Sequence, residues 1–203
     1  MNLKTSLLHT GEGVVMDIGT GDGRFVSAAA KTNPNKFFIG IDANVKPLEK
    51  PSIKATRKVN KGGLPNAMFV QAAVEFLPEE FDGVADEIHI HFPWGSLFRS
   101  VALGDPETLT SLRRIAALNC LLEIVIGVDA ERDRYELARL QIPELSPIYF
   151  EKTLASRYNA AGFETIEVKQ LSPNVWAKIE TSWARKLSTS STRTVTMLIF
   201  RAI

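Results

Sequence analysis

Three glycines and two carboxylates, set at the ends of two apolar runs, are the residues of this chain best placed to do chemistry. Residues 14–23 read Val-Val-Met-Asp-Ile-Gly-Thr-Gly-Asp-Gly, a strand that runs straight into a turn containing Asp17, Gly19, Thr20 and Gly21. Gly19 and Gly21 let the backbone turn tightly and approach a ligand where a Cβ would obstruct. Amides at the start of the following helix then face whatever sits beyond the strand's carboxyl end. A dinucleotide fingerprint requires G-x-G-x-x-G. Here Arg24 holds the last glycine position and Gly23 comes one step early, so that fingerprint is not met. Asp42 ends the next apolar run, 37–42, where a carboxylate can accept both hydrogen bonds of a ribose diol. The plainer use of Asp17 and Asp42 is as helix caps.

Two tryptophans could handle a base. Trp94 follows Pro93 in His91-Phe92-Pro93-Trp94-Gly95-Ser96 at the end of the fourth strand. In a doubly wound sheet that end borders the ligand crevice, and the proline restricts the backbone on which the indole is carried. An indole there can stack on a flipped base or favour a cationic product; it can also be a core aromatic under a loop. Trp183 lies beside Arg185 and Lys186, with Thr181 just before it and Arg193 seven residues beyond Lys186. An aromatic with adjacent cations suits a stacked base and a nearby phosphate, although an amphipathic helix with a half-buried indole has the same composition. Trp176, further up that helix, fits the second description. Ala72 and Ala73 leave room for an adenine ring at the end of the third strand, and Glu75 can accept a hydrogen bond or cap a turn. His89 and His91 share one face of their strand, but two histidines without a third ligand do not make a metal site, so none is expected.

These residues need a scaffold, and the apolar runs supply one. They alternate with helical patterns, as βαβ units and a parallel sheet require. Strands are expected near 13–18, 36–41, 67–72, 85–92 and 120–128, with helices near 22–32, 44–58 and 106–117. Asp105-Pro106 opens the last of these in the N-cap and N1 positions. Beyond them come a helix near 131–140, a proline-punctuated loop at 142–147 and a helix near 151–161 that ends at Gly162. A strand at 163–170, a helix near 173–187 and a final strand at 193–201 complete the chain. Residues 188–192, Ser and Thr only, read as a mobile loop.

At 203 residues with 45% hydrophobic content, the chain reads as one domain over 1–203 with a full α/β core. No apolar run reaches bilayer length and no signal pattern opens the chain. The single Cys120 cannot form an internal disulfide and reads as a buried thiol in a reducing cytoplasm. A net charge of +1 gives no global field for nucleic acid, so such binding needs a patch. Lys46, Lys50, Lys54, the adjacent pair Arg57 and Lys58, and Lys61 recur every three or four residues and would share one helical face. Phosphate contact and an ordinary solvated face explain that run equally well.

The glycine turn with Asp42 resembles motif I of class I S-adenosylmethionine (SAM) methyltransferases. The longer set is more specific: 17–23, Lys61-Gly62-Gly63-Leu64-Pro65-Asn66, Phe92-Pro93-Trp94-Gly95-Ser96 and Thr181-Ser182-Trp183-Ala184-Arg185-Lys186. Together these resemble the 16S ribosomal RNA adenine-1408 N1-methyltransferases that confer kanamycin and apramycin resistance, in the same order from about residue 13 onward. The resemblance implies a Rossmann-like, seven-stranded, mostly parallel sheet with an antiparallel last strand. It implies SAM held by Asp17, Gly19, Thr20, Gly21 and Asp42, with Ala72, Ala73 and Glu75 at its adenine end. Trp94, Trp183 and Ser96 would form the catalytic group, the indoles sandwiching the target adenine. Thr181, Arg185, Lys186 and Arg193 would hold neighbouring RNA. Lys54, Arg57 and Lys61, with the 61–66 loop, would dock a cytoplasmic monomer on the 30S subunit. About a dozen residues precede the first strand, where the family carries a longer hairpin, and 188–192 lacks the family's extra cations. Methylation of another RNA base such as tRNA guanine N7, methylation of a small molecule, and SAM binding without catalysis are the competing readings.

Overall fold

The computed structural model describes residues 13–187 and 193–203; the stretch before the first strand and the 188–192 loop lie outside them. Seven strands form one sheet in the order β3-β2-β1-β4-β5-β7-β6. They are β1 Val14–Ile18, β2 Phe37–Asp42, β3 Ala67–Gln71, β4 Ala85–His91, β5 Ala116–Val128, β6 Phe163–Leu171 and β7 Thr194–Ala202. Strands β1 to β5 pair in parallel, whereas β7 runs antiparallel to both β5 and β6. The chain reverses strand order between β1 and β4, so the crevice beyond their carboxyl ends is the place for a ligand. β1 is buried at every position, which is why it reads as a continuous apolar run rather than an alternating one.

The helices are α1 Arg24–Thr32, α2 Val45–Ala55, α3 Gly95–Leu103, α4 Pro106–Ile115, α5 Arg134–Arg139, α6 Ala155–Ala160, α7 Pro173–Trp176 and α8 Ser182–Leu187. Asp105 caps α4 by accepting from the Thr108 amide, as its position before Pro106 predicts. Three helical expectations need correction. The basic helix stops at Ala55, so Arg57 and Lys58 lie in a turn and Lys61 in a 3-10 segment, Val59–Lys61. The expected helix over 173–187 is two short helices separated by residues 177–181. The helix expected at 151–161 begins as a π-helical stretch, Tyr149–Leu154, before α6. α3 is an addition. Its Leu97, Phe98, Val101 and Ala102 have helical spacing, but glycine at its first position and a side chain that makes no cap obscure its start.

The core follows from this layering. One large cluster fills the sheet between β1, β4 and β5 and helices α3 and α4. A second sits under α1 and α2, and a third joins Phe92, Val125, Leu171, Trp176, Ala184 and Val195. That third cluster fastens α7 and α8 to the end of the sheet beside the crevice. Trp176 is fully buried in it.

Candidate active site

The turn after β1 is braced against β2. Gly19, Gly21 and Gly23 all have positive φ, at 75°, 57° and 67°. A Cβ on Gly19 would lie 2.6 Å from Leu97, and one on Gly23 would lie 2.5 Å from Phe69, whereas one on Gly21 would meet nothing within 4 Å. Only Gly21 therefore opens onto free space. The amides of Gly19 and Thr20 both donate to the Ile41 carbonyl at 2.8 and 3.0 Å, and the Gly21 amide donates to Asp42 Oδ2 at 2.8 Å. With those donors committed, the turn does not present them as an anion cradle, in keeping with a ligand that lacks pyrophosphate.

Both predicted acids are held in place. Asp17 is buried, accepts from Thr20 Oγ1 at 2.6 Å, and has its carboxyl pKa raised by burial. Asp42 Oδ1 accepts from the Asn44 amide at 2.8 Å. Asn44, not Asp42, caps α2. Each Asp42 oxygen keeps a second lone pair for a ligand hydroxyl. Glu75 Oε1 accepts from Thr108 Oγ1 at 2.7 Å, a fixing contact from α4 that no local sequence signal announces.

These groups line one cleft of about 900 Å³ that reaches from Asp42, Ala72, Ala73 and Glu75 across Gly21 to Trp94, Ser96 and Trp183. Strand order thus brings the predicted cofactor residues and both exposed indoles together. The two rings face each other with centroids 6.0 Å apart and planes 22° from parallel. Phe98 stacks with Trp94 at 6.1 Å, and Lys186 Nζ lies 5.2 Å from the Trp183 ring centre. A base between the indoles needs two contacts of roughly 3.5 Å each, so the rings must part to admit one.

Position explains why these indoles stay at the surface. Trp94 is 41% and Trp183 43% exposed. Phe92 takes φ of 50°, an uncommon conformation for a bulky residue, and its side chain packs on Trp176 at 6.1 Å. That anchored bend, as well as Pro93, sets the direction of Trp94. Ala184 is wholly buried in the same cluster, so its neighbour Trp183 projects into the cleft. Ser182 Oγ donates to Asp22 Oδ2 at 2.6 Å, tying α8 to the glycine turn.

The RNA-facing expectations divide. Lys186 lines the cleft and Arg185 is exposed, pairing with Glu180 at 3.3 Å. Thr181 Oγ1 accepts from the Ala184 amide at 3.0 Å and thereby caps α8. Arg193 is a correction: its side chain is 7% exposed and grips Asp133 at 2.5 and 3.3 Å and the Gly127 carbonyl at 2.9 Å. A guanidinium neutralised and buried in this way braces β5 and β7 rather than facing RNA. Asn66 is likewise structural, its amide donating to the Ala30, Asn33 and Lys36 carbonyls. Arg57 and Lys61 are exposed and Lys54 half-buried beside them. Gly63 permits that turn, because a Cβ there would lie 1.8 Å from the Arg57 carbonyl oxygen.

Comparison with known proteins finds relatives over nearly the whole chain. The family described as "NpmA: 16S rRNA (adenine(1408)-N(1))-methyltransferase" matches residues 3–202. A protein of that enzyme name from Streptoalloteichus tenebrarius is 36% identical over 180 residues, 89% of this chain and 82% of its own. Among solved structures, the aminoglycoside resistance methyltransferase NpmB1 is 45% identical with a TM-score of 0.85, covering 100% of this chain and 95% of its own. A variant of the 16S rRNA (adenine(1408)-N(1))-methyltransferase from Catenulisporales acidiphilia, solved with cosubstrate SAM, has a TM-score of 0.89 at 33% identity. It covers 98% of this chain and 90% of its own.

Proposed function

Because this chain belongs to the NpmA family of 16S rRNA (adenine(1408)-N(1))-methyltransferases, we propose that it methylates N1 of adenine 1408 and so gives aminoglycoside resistance. The substrate is the 16S rRNA of the cytoplasmic 30S subunit, and the enzyme acts as a monomer. The observation that carries this reading is the pair of facing indoles at one end of a cleft whose other end holds Asp42 and the glycine turn.

The residues fit SAM. Asp42 retains lone pairs for a ribose diol, Ala72 and Ala73 leave a flat space, and Gly21 opens onto the cleft. SAM supplies an electrophilic methyl group on a sulfonium. Adenine N1 has a free lone pair, so its attack requires no prior deprotonation, and the cleft needs no general base. What the chain must do is hold the extruded base, align N1, and tolerate the positive charge that passes to the product. Trp94 and Trp183 replace the stacking lost on extrusion, and their electron-rich faces favour the cationic ring. Ser96 lines the same end of the cleft, where its hydroxyl can meet the base edge.

Primer extension over 16S rRNA, after incubating 30S subunits with the protein and SAM, tests the assignment. N1 methylation blocks the pairing edge, so a stop at adenine 1408 that depends on both protein and SAM is expected. Full-length product, or a stop at a different nucleotide, overturns it.

A further inference from the structure

No role in the methyl transfer derived above falls to a cluster of titratable side chains on one face of the sheet, although its His91 borders the cleft. His89 and His91 alternate along β4, and Glu123 stands opposite His89 on β5. Glu123 Oε1 is 2.8 Å from His91 Nε2 and 3.4 Å from His89 Nδ1. One donor atom from each residue lies within 4.8 Å of the other two. The histidine pair lacks a third ligand in the sequence; strand register provides it.

We propose that His89, His91 and Glu123 form a binding site for a first-row transition-metal dication of the zinc type, with water completing the coordination. Donors placed 2.0–2.2 Å from a common tetrahedral ion stand roughly 3.3–3.6 Å from one another. Glu123 Oε1 already stands 2.8 and 3.4 Å from the two ring nitrogens, so side-chain rotation can reach that arrangement. Two imidazoles and one carboxylate suit zinc or cobalt, whereas magnesium and calcium demand oxygen.

The surroundings resemble those of a metal site. His89 turns its other nitrogen, Nε2, toward Glu87 Oε2 at 3.3 Å, and Lys36 holds Glu87 at 2.6 Å. A carboxylate behind a ligating histidine fixes its ring and tautomer. The Phe25 ring covers both imidazoles, with centroids at 5.0 and 4.8 Å. His91 is 3% exposed at its side chain, and its Nδ1 has no hydrogen-bond partner among the described residues. Glu123, 30% exposed, gives an ion a route from solvent. Since β4 runs from His91 directly into Phe92-Pro93-Trp94, a bound ion would clamp the strand end that carries Trp94 to β5.

The test is a Co²⁺ titration of chelator-treated, tag-free full-length protein, followed by visible absorption, competition with Zn²⁺ and thermal unfolding. Expected are d–d bands of a low-coordinate cobalt site at one equivalent, their loss on adding Zn²⁺, and a raised Tm. His89→Gln and Glu123→Gln should abolish the bands, and Glu87→Gln should weaken binding about 10- to 100-fold. His9→Gln, at the chain's third histidine and outside the proposed ligand set, should bind as the parent does. Circular dichroism reports whether each variant is folded; should His89→Gln unfold, the more exposed Glu87 and Glu123 positions carry the test. Absence of cobalt bands in the parent, or unchanged bands in folded Glu123→Gln, overturns the proposal.

Discussion

Each Asp42 oxygen accepts one backbone amide, Gly21 on one side and Asn44 on the other, so this carboxylate enters the cleft already aimed. Trp183 is placed by its sequence neighbours, with Ala184 buried behind it, Ser182 held by Asp22 and Lys186 over its ring, and by stacking on Trp94. Base stacking on an aromatic is worth about 1–3 kcal/mol by alanine substitution. Trp94→Ala and Trp183→Ala should therefore lower methylation of 30S subunits by roughly 10- to 100-fold while changing subunit affinity little, because docking rests on phosphate contacts. Phe at either position should keep more activity than Ala. Single-turnover rates measured beside filter-binding affinities separate the two effects. A Trp183→Ala enzyme with full turnover would make that indole a packing residue.

At the scale of elements, α2 and the turn that follows carry the cations of the proposed docking face, although the run is no single helical stripe. Lys54 lies in the last turn of α2, Arg57 beyond its end, and Lys61 in the next 3-10 segment. If these three contact rRNA phosphates, Lys54→Gln, Arg57→Gln and Lys61→Gln should each reduce the slope of log affinity against log salt by about one. Binding of S-adenosylhomocysteine should not change. Unaltered slopes would mean an ordinary solvated face. Legibility in the sequence followed the physics of each element. β1 and β2 announced themselves because strands buried on both faces need continuous apolar runs, and the glycine turn because positive φ demands glycine. The gap between α7 and α8 was hidden, since residues 177–181 contain neither proline nor glycine. Long-range partners were hidden too. Asp133 for Arg193, Thr108 for Glu75 and Glu123 for the histidines lie 60, 33 and 32–34 residues away, and a single sequence does not display such pairings.

Across the whole molecule, Cys120 can report whether the sheet couples the cleft to the core. The thiol is buried in the main cluster, beside the bend at Asn119 where φ is 65°. Burial, with Asp86 and Glu87 nearby, pushes its pKa up to about 12. Because the thiolate is the reactive form, at pH 8 only about one molecule in ten thousand carries it while folded. Labelling by a disulfide reagent should consequently proceed through opened states, at a rate set by the opening equilibrium. A ligand bound only by the folded protein stabilises it by RT ln(1 + [L]/Kd), which is about 2.7 kcal/mol at one hundred times Kd. If exposure of Cys120 requires global unfolding, S-adenosylhomocysteine at that concentration should slow labelling about 100-fold. A rate that ignores the ligand would instead place the opening in the first half of β5, where pairing with β7 begins only at Leu121. The two outcomes distinguish a sheet that opens as one unit from one whose edge by Cys120 frays while the cleft stays closed.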